Sequence, residues 1–173
     1  MKRIYFVLTF TGTWLSRVVR FYTRKEYSHV SIALDKDLKY MYSFGRLNAY
    51  NPVVAGFVHE CQHEGTFKRF KNTNSLICSI EVTDKQYKKI KANIKHFEET
   101  KDDYGFNLLG LIGIVFGTKI QRTNKYYCAE FVKHILENSG VELELPDIVK
   151  PEDFRDLEGS EFVYKGKFRE YNI

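Results

Sequence analysis

Apolar residues follow two rhythms along this chain. Ile4 to Thr9 is a continuous apolar run of strand length, read as a buried strand. Gly12 and Thr13 punctuate it, and Trp14 to Phe21 takes helical spacing with Thr13 as cap. From His29 to Leu34 the alternation is strict: Val30, Ile32 and Leu34 share one face, His29, Ser31 and Ala33 the other. The first face predicts core; the second, small around a histidine, leaves room for a packed helix or a cleft. Asp35-Lys36-Asp37 reads as a hairpin turn into a second strand through Leu38 to Phe44, ended by Gly45 and the Asn48–Pro52 stretch. Val53 to Cys61 and Ser75 to Val82 predict further strands.

The clearest helix is Asp84 to Thr100, where Tyr87, Ile90, Ile94 and Phe97 form a narrow stripe among lysines. Such a stripe suits a helix packed on a core; a membrane-surface helix has a wider apolar face. Leu108 to Phe116 is the longest apolar run, about half of what a membrane span requires. With Gly110 and Gly113 inside it, a buried, closely packed helix or loop is expected. A last helix opens at Cys128, turns Phe131, Val132, Ile135 and Leu136 inward, and closes at Asn138-Ser139-Gly140. Beyond Val141 the tail is acidic up to Glu158 and basic near its end. Strands and helices alternate too irregularly for a doubly wound sheet, so the class is α+β, in a single domain over residues 1–173.

Composition narrows the setting. The net charge of +5 permits an anionic partner without selecting one. Three cysteines without paired spacing, and no secretory leader before the first strand, fit a soluble chain in the thiol-reducing cytoplasm.

Candidate chemistry centres on Cys128, in Asn124-Lys125-Tyr126-Tyr127-Cys128-Ala129-Glu130-Phe131-Val132. A thiol at a helix N-terminus feels the positive end of the helix dipole, which favours thiolate. His29, in Tyr27-Ser28-His29-Val30-Ser31-Ile32, could complete a nucleophile–base pair. Taken singly, a cysteine on a helix is more often a small buried hydrophobe and a strand histidine structural. Their order carries more: strand and helix, Tyr-Ser-His-Val-Ser-Ile, a β-hairpin, then Tyr-Tyr-Cys-Ala-Glu-Phe-Val opening a late helix.

This order resembles the circularly permuted papain-like, NlpC-type hydrolases, the group of lecithin:retinol acyltransferase-like and YiiX-like proteins. The resemblance spans roughly Ile4 to Gly140. It implies a permuted papain-like fold, an antiparallel sheet or small barrel packed against the cysteine-bearing helix. It also implies Cys128 as nucleophile and His29 as general base, acting on an amide, ester or thioester through a thioester acyl-enzyme, with no cofactor. The substrate classes it offers are peptides, cell-wall peptides and lipids.

The backbone N–H of Cys128 could help hold an oxyanion, with Tyr126 or Asn124 as a side-chain donor. Members of the group usually carry a polar residue on the strand after the histidine to orient its ring. A turn of odd length, Asp35-Lys36-Asp37, places Ser43 opposite His29; a two-residue turn puts Phe44 there and turns Tyr40 and Tyr42 toward the histidine's face. Ser43 is the expected third residue. Glu60 could substitute from a neighbouring strand, and Arg46 could bind a substrate carboxylate or phosphate.

Rival chemistries are thinner. If His59-Glu60-Cys61-Gln62-His63 is strand-like, His59, Cys61 and His63 share a face suited to Zn²⁺, with Cys78 as a further candidate; if helical, His59 and His63 share one. No second ligand pair has conventional spacing, so no metal is assigned. Lysines and tyrosines could make a nucleic-acid surface. The aromatic residues fall at core periodicities and the basic ones are dispersed, which argues against it. A non-catalytic binding module on the same fold would bury Cys128 away from His29.

Overall fold

The computed structural model describes residues 1–172; the side chains of Leu15, Pro52 and Val53 lie outside the description. The chain is α+β. Strand β1 (Lys2–Phe10) leads to helix α1 (Trp14–Thr23), then to β2 (His29–Ala33), β3 (Met41–Asn48) and β4 (Asn51–Glu60). A short helix α2 (Gly65–Arg69) precedes β5 (Asn74–Val82) and the long α3 (Asp84–Glu99). Next come β6 (Gly105–Phe106), α4 (Leu108–Phe116), β7 (Lys125–Tyr126), α5 (Cys128–Asn138) and β8 (Glu161–Lys167). Six strands form one sheet in the order β4-β3-β2-β1-β5-β8, every neighbouring pair antiparallel. β6 and β7 make a small parallel pair that carries the chain into α4 and α5. Among the described residues no helix is long and apolar enough to cross a membrane.

Strand alternation splits the core in two. Val30, Ile32, Tyr42 and Phe44 face α3 and α5, meeting Ile90, Ile94, Phe97, Phe131 and Ile135. Tyr5, Val7, Ala33, Met41 and Ile77 face the other way, covered by Leu38, Phe67, Phe168 and Tyr171. Each such buried side chain contributes roughly 1.5–3 kcal/mol relative to exposure. The helices begin where their caps place them. Thr83 caps α3 by accepting from the Gln86 N–H, and the Gln86 side chain accepts from the Thr83 N–H. Thr13 caps α1 through the Ser16 N–H.

Three features depart from the sequence expectations. The apolar run 108–116 is a helix, but only one side is buried: Gly110, Leu111, Gly113 and Ile114 pack inward, while Leu108, Leu109, Ile112 and Phe116 are exposed. The basic tail supplies an edge strand, β8, which pairs with β5 across a register shift and alternates weakly. The β2–β3 hairpin is displaced. Ile32 pairs with Tyr42 and Ala33 with Met41, so the same register brings Gly45, not Ser43, across from His29. The cause is a longer turn: the Asp35 carboxylate accepts the backbone N–H groups of Lys39 and Tyr40, and Leu38 takes a left-handed conformation at φ 55°.

α4 and α5 are tied together at their first turns. Asn107 caps α4 by accepting from the Gly110 N–H at 2.9 Å, and its amide donates to the Ile120 carbonyl and to Glu130 of α5. Glu130 in turn accepts the Tyr127 N–H at 3.2 Å. A Cβ on Gly110 would lie 2.2 Å from the Asn107 amide nitrogen, so the glycine admits the cap. Burial pushes the Glu130 carboxyl up, against the pull of Asn107 and the Tyr127 N–H. Asn107→Ala strips a donor from that buried carboxyl and should cost about 1–3 kcal/mol. Urea unfolding checks this; an unchanged midpoint would contradict the role given to Asn107.

Candidate active site

Cys128 is the first residue of α5, and α5 packs on β2 and β3. Cys128 is only 4% exposed yet lines a cleft of about 420 Å³ together with His29, Gly45, Arg46 and Glu60. Tyr127 fixes the approach to the helix: its backbone N–H is held by Glu130, and its hydroxyl donates to the Val149 carbonyl at 2.9 Å. As a first-turn residue, Cys128 carries a backbone N–H that helix geometry leaves without an intrahelical acceptor.

His29 opens β2 at the end of the sheet. Its Nε2 lies 3.1 and 3.2 Å from the two carboxylate oxygens of Glu60, the last residue of β4. A carboxylate only accepts, so Nε2 carries a proton and donates it, leaving Nδ1 for the thiol. The Cys128 side chain faces the same cleft as the ring, and its proximity favours the protonated imidazole. Ser31 lies on the same face as His29, 3.4 Å from Nε2, and its hydroxyl donates to Glu60. The histidine and glutamate side chains are 18% and 9% exposed. Burial works against a charged imidazole here, but Glu60 and Cys128 outweigh it and hold the His29 pKa well above its usual value of 6.5.

Glu60 reaches His29 across an intervening strand. β3 lies between β2 and β4, and its residue between the two side chains is Gly45. A Cβ there would come within 3.2 Å of His29 Cε1 and 3.6 Å of Glu60 Oε1. The glycine spares the ring that tight approach where carboxylate and imidazole meet.

The other expected site residues divide. Ser43 does not orient His29: it pairs along the strand with the position of Ser31, is fully buried, and donates its hydroxyl to the Val30 carbonyl at 2.7 Å. The longer turn moved it two positions away from the histidine. Tyr126 does not line the cleft. Its ring packs among Phe44, Phe97 and His134 at centroid distances of 5.4, 5.6 and 5.0 Å. Asn124 is a left-handed turn residue whose carbonyl receives the Gly105 N–H. Arg46 is in the cleft. Its guanidinium donates to Thr13 at 2.8 Å and lies over the Phe70 ring, which Arg69 also approaches. Burial and the Arg69 charge both lower the Arg46 pKa.

The His59–His63 cluster is dispersed by the end of β4. His59 stacks on Tyr42 and donates to the Lys39 carbonyl, Glu60 turns to the opposite face, and Gln62 donates to the Phe168 and Tyr171 carbonyls. Among the described residues no group of three or more His, Cys, Asp or Glu side chains is placed to hold a metal ion. No protein-family model matches the chain, and no curated protein matches it.

The raised His29 pKa sets the sign of a pH effect. A group protonated more readily in the native state stabilises it fully below the unfolded value near 6.5, and loses that effect as pH rises through the native value. The stability gap between the wild type and Glu60→Gln should therefore be widest below about pH 6.5 and narrow on the alkaline side. Denaturant titrations across pH 5–10 measure it; a gap that widens with rising pH would contradict the ion pair.

Proposed function

We propose that this protein is a thiol hydrolase or acyltransferase of the permuted papain-like type, acting on an amide, ester or thioester. The observation that carries the proposal is the convergence of Cys128, His29 and Glu60 in one cleft, with the thiol at a helix N-terminus. Their chain order, His before Cys, is that of the permuted group. The antiparallel sheet with the cysteine helix on one face agrees with its architecture.

Each residue has a defined task. His29 takes the Cys128 thiol proton and, held protonated beside Glu60, keeps it as imidazolium while the sulfur attacks the carbonyl carbon and the C=O electrons move onto oxygen. The backbone N–H of Cys128 faces the developing oxyanion. His29 then returns the proton to the leaving amine or alcohol as that bond breaks, leaving a thioester on Cys128. Water, or a second acceptor, attacks the thioester with His29 again taking the proton, and the free thiol is restored. Glu60 accepts from Nε2 throughout, orienting the ring and balancing the imidazolium.

The cleft restricts the substrate. Trp14, Val19, Phe67, Phe106, Leu108 and Leu111 line it, so the acyl portion is apolar. Arg46 stands in the same wall, and the ion pairs of the described residues include neither it nor Arg69. A carboxylate or phosphate on the substrate answers that charge. A non-catalytic binding module has no use for a cysteine and a histidine facing one cleft with a buried carboxylate on the histidine, which favours the enzyme.

Intact-mass analysis after mixing with p-nitrophenyl hexanoate tests the reading. An acyl adduct should form on Cys128, vanish in Cys128→Ala, and slow by about 10²–10⁴-fold in His29→Ala. The corresponding ester of adipic acid, with a free carboxylate, should acylate faster than the hexanoate, and Arg46→Gln should remove roughly tenfold or more of that advantage. An adduct that forms equally well without His29, or on Cys61 or Cys78 instead, would refute the mechanism.

A further inference from the structure

Two helices at the cleft carry apolar side chains that the fold does not cover. α1 packs against α4, and Trp14 and Leu108, one from each, line the cleft that holds Cys128. Outside it, Trp14 is 79% exposed, Phe21 76% and Phe116 76%, with Leu109 and Ile112 also exposed on α4. Trp14 and Phe21 are seven residues apart, so they project from the same side of α1. α4 carries no charged residue. Exposed apolar side chains gathered on two helices that pack together mark a site of contact.

Its rim is cationic. Arg17, Arg20, Arg24 and Lys25 follow Trp14 without an acidic residue among them, and with Phe10 and Phe21 they border a groove beside the apolar face. Glu26 also borders that groove, but its carboxylate is directed to Lys165 and Arg155. The Arg17 side chain donates to the Gly12 carbonyl, and Arg20 lies over the Phe10 ring at 4.7 Å, so two of the cations are held in place at the groove.

We propose that the α1–α4 face docks on an anionic lipid bilayer. Trp14, Phe21 and the exposed side chains of α4 enter the headgroup–acyl boundary, and the arginine groove receives lipid phosphates. Interfacial aromatic residues and a polybasic flank are the two chemistries such a surface rewards. A basic groove beside apolar side chains complements anionic headgroups above acyl chains, which favours a bilayer over a second copy of a chain of net charge +5. Trp14 and Leu108 belong both to this face and to the cleft lining, so docking brings the bilayer to the edge of the cleft. The inference concerns the surface and stands apart from the reaction at Cys128.

Trp14 is the single tryptophan of the chain, which makes it a direct reporter. The full-length protein is mixed with vesicles of equal parts phosphatidylcholine and phosphatidylglycerol, and separately with pure phosphatidylcholine. With the anionic vesicles, Trp14 emission should shift to the blue, be quenched by brominated acyl chains, and accompany co-sedimentation of the protein. Leu109→Ser combined with Phe116→Ser, both at exposed positions, should weaken binding about tenfold or more. Arg17→Glu with Arg24→Glu should abolish the preference for anionic vesicles. Circular dichroism confirms that each variant is folded. No shift with anionic vesicles, or undiminished binding by the folded variants, would overturn the proposal. So would a Trp14 shift that appears without lipid as protein concentration rises and tracks dimer formation in sedimentation, since a second copy would then cover the face.

Discussion

An imidazole and a carboxylate on strands that are not neighbours meet here over a glycine of the strand between them. Gly45 lies between His29 of β2 and Glu60 of β4, and a Cβ there would come within 3.2 Å of the ring. Glu60 holds Nε2 there, so the ring's other nitrogen is the one free to serve Cys128 in the proposed reaction. It also keeps the histidine readily protonated in a site whose burial works against the charge. The chemistry proposed for the cleft thus depends on the register of two strand pairs and on one residue type within it.

The Cys128 side of the cleft is set by a separate polar link. Glu130 receives the Tyr127 N–H at the entrance to α5 and the Asn107 amide at the entrance to α4. One carboxyl therefore joins the helix that presents the thiol to the helix that walls the cleft and carries the exposed apolar side chains. Gly110 permits the link by giving Asn107 space. Movements of α4 at a docking surface would bear on Cys128 through this joint.

Local patterning made much of the scaffold legible. The alternation of Val30, Ile32 and Leu34, the stripe on α3 and the inward face of α5 are properties of consecutive residues, and each predicts its element directly. His29 and Cys128 stood out because each sits at the start of an element, where a polar side chain escapes the core pattern. The third residue was hidden for a physical reason. Its identity depends on hairpin register, and the register depends on how Asp35 captures the N–H groups of Lys39 and Tyr40. That two-position displacement exchanges Ser43 for Gly45 across from His29. Glu60 then comes from a strand further out, a relation no spacing expresses. The run 108–116 misled in another way: hydropathy predicts burial, but a helix with one side on the core leaves Leu109, Ile112 and Phe116 outside. Ser31, whose hydroxyl supports Glu60, gave no signal beyond being small and polar on the histidine's face.

The central claim is that Glu60, through His29, governs the reactivity of Cys128. The direct measurement is the rate of Cys128 alkylation by iodoacetamide as a function of pH, with Cys61 and Cys78 replaced by serine. It is compared between the otherwise native protein and Glu60→Gln. The account predicts rapid alkylation that persists below pH 7, and a loss of roughly tenfold or more at that pH when the charge of Glu60 is removed. Identical profiles, both rising only in the range of an ordinary thiol, would contradict it.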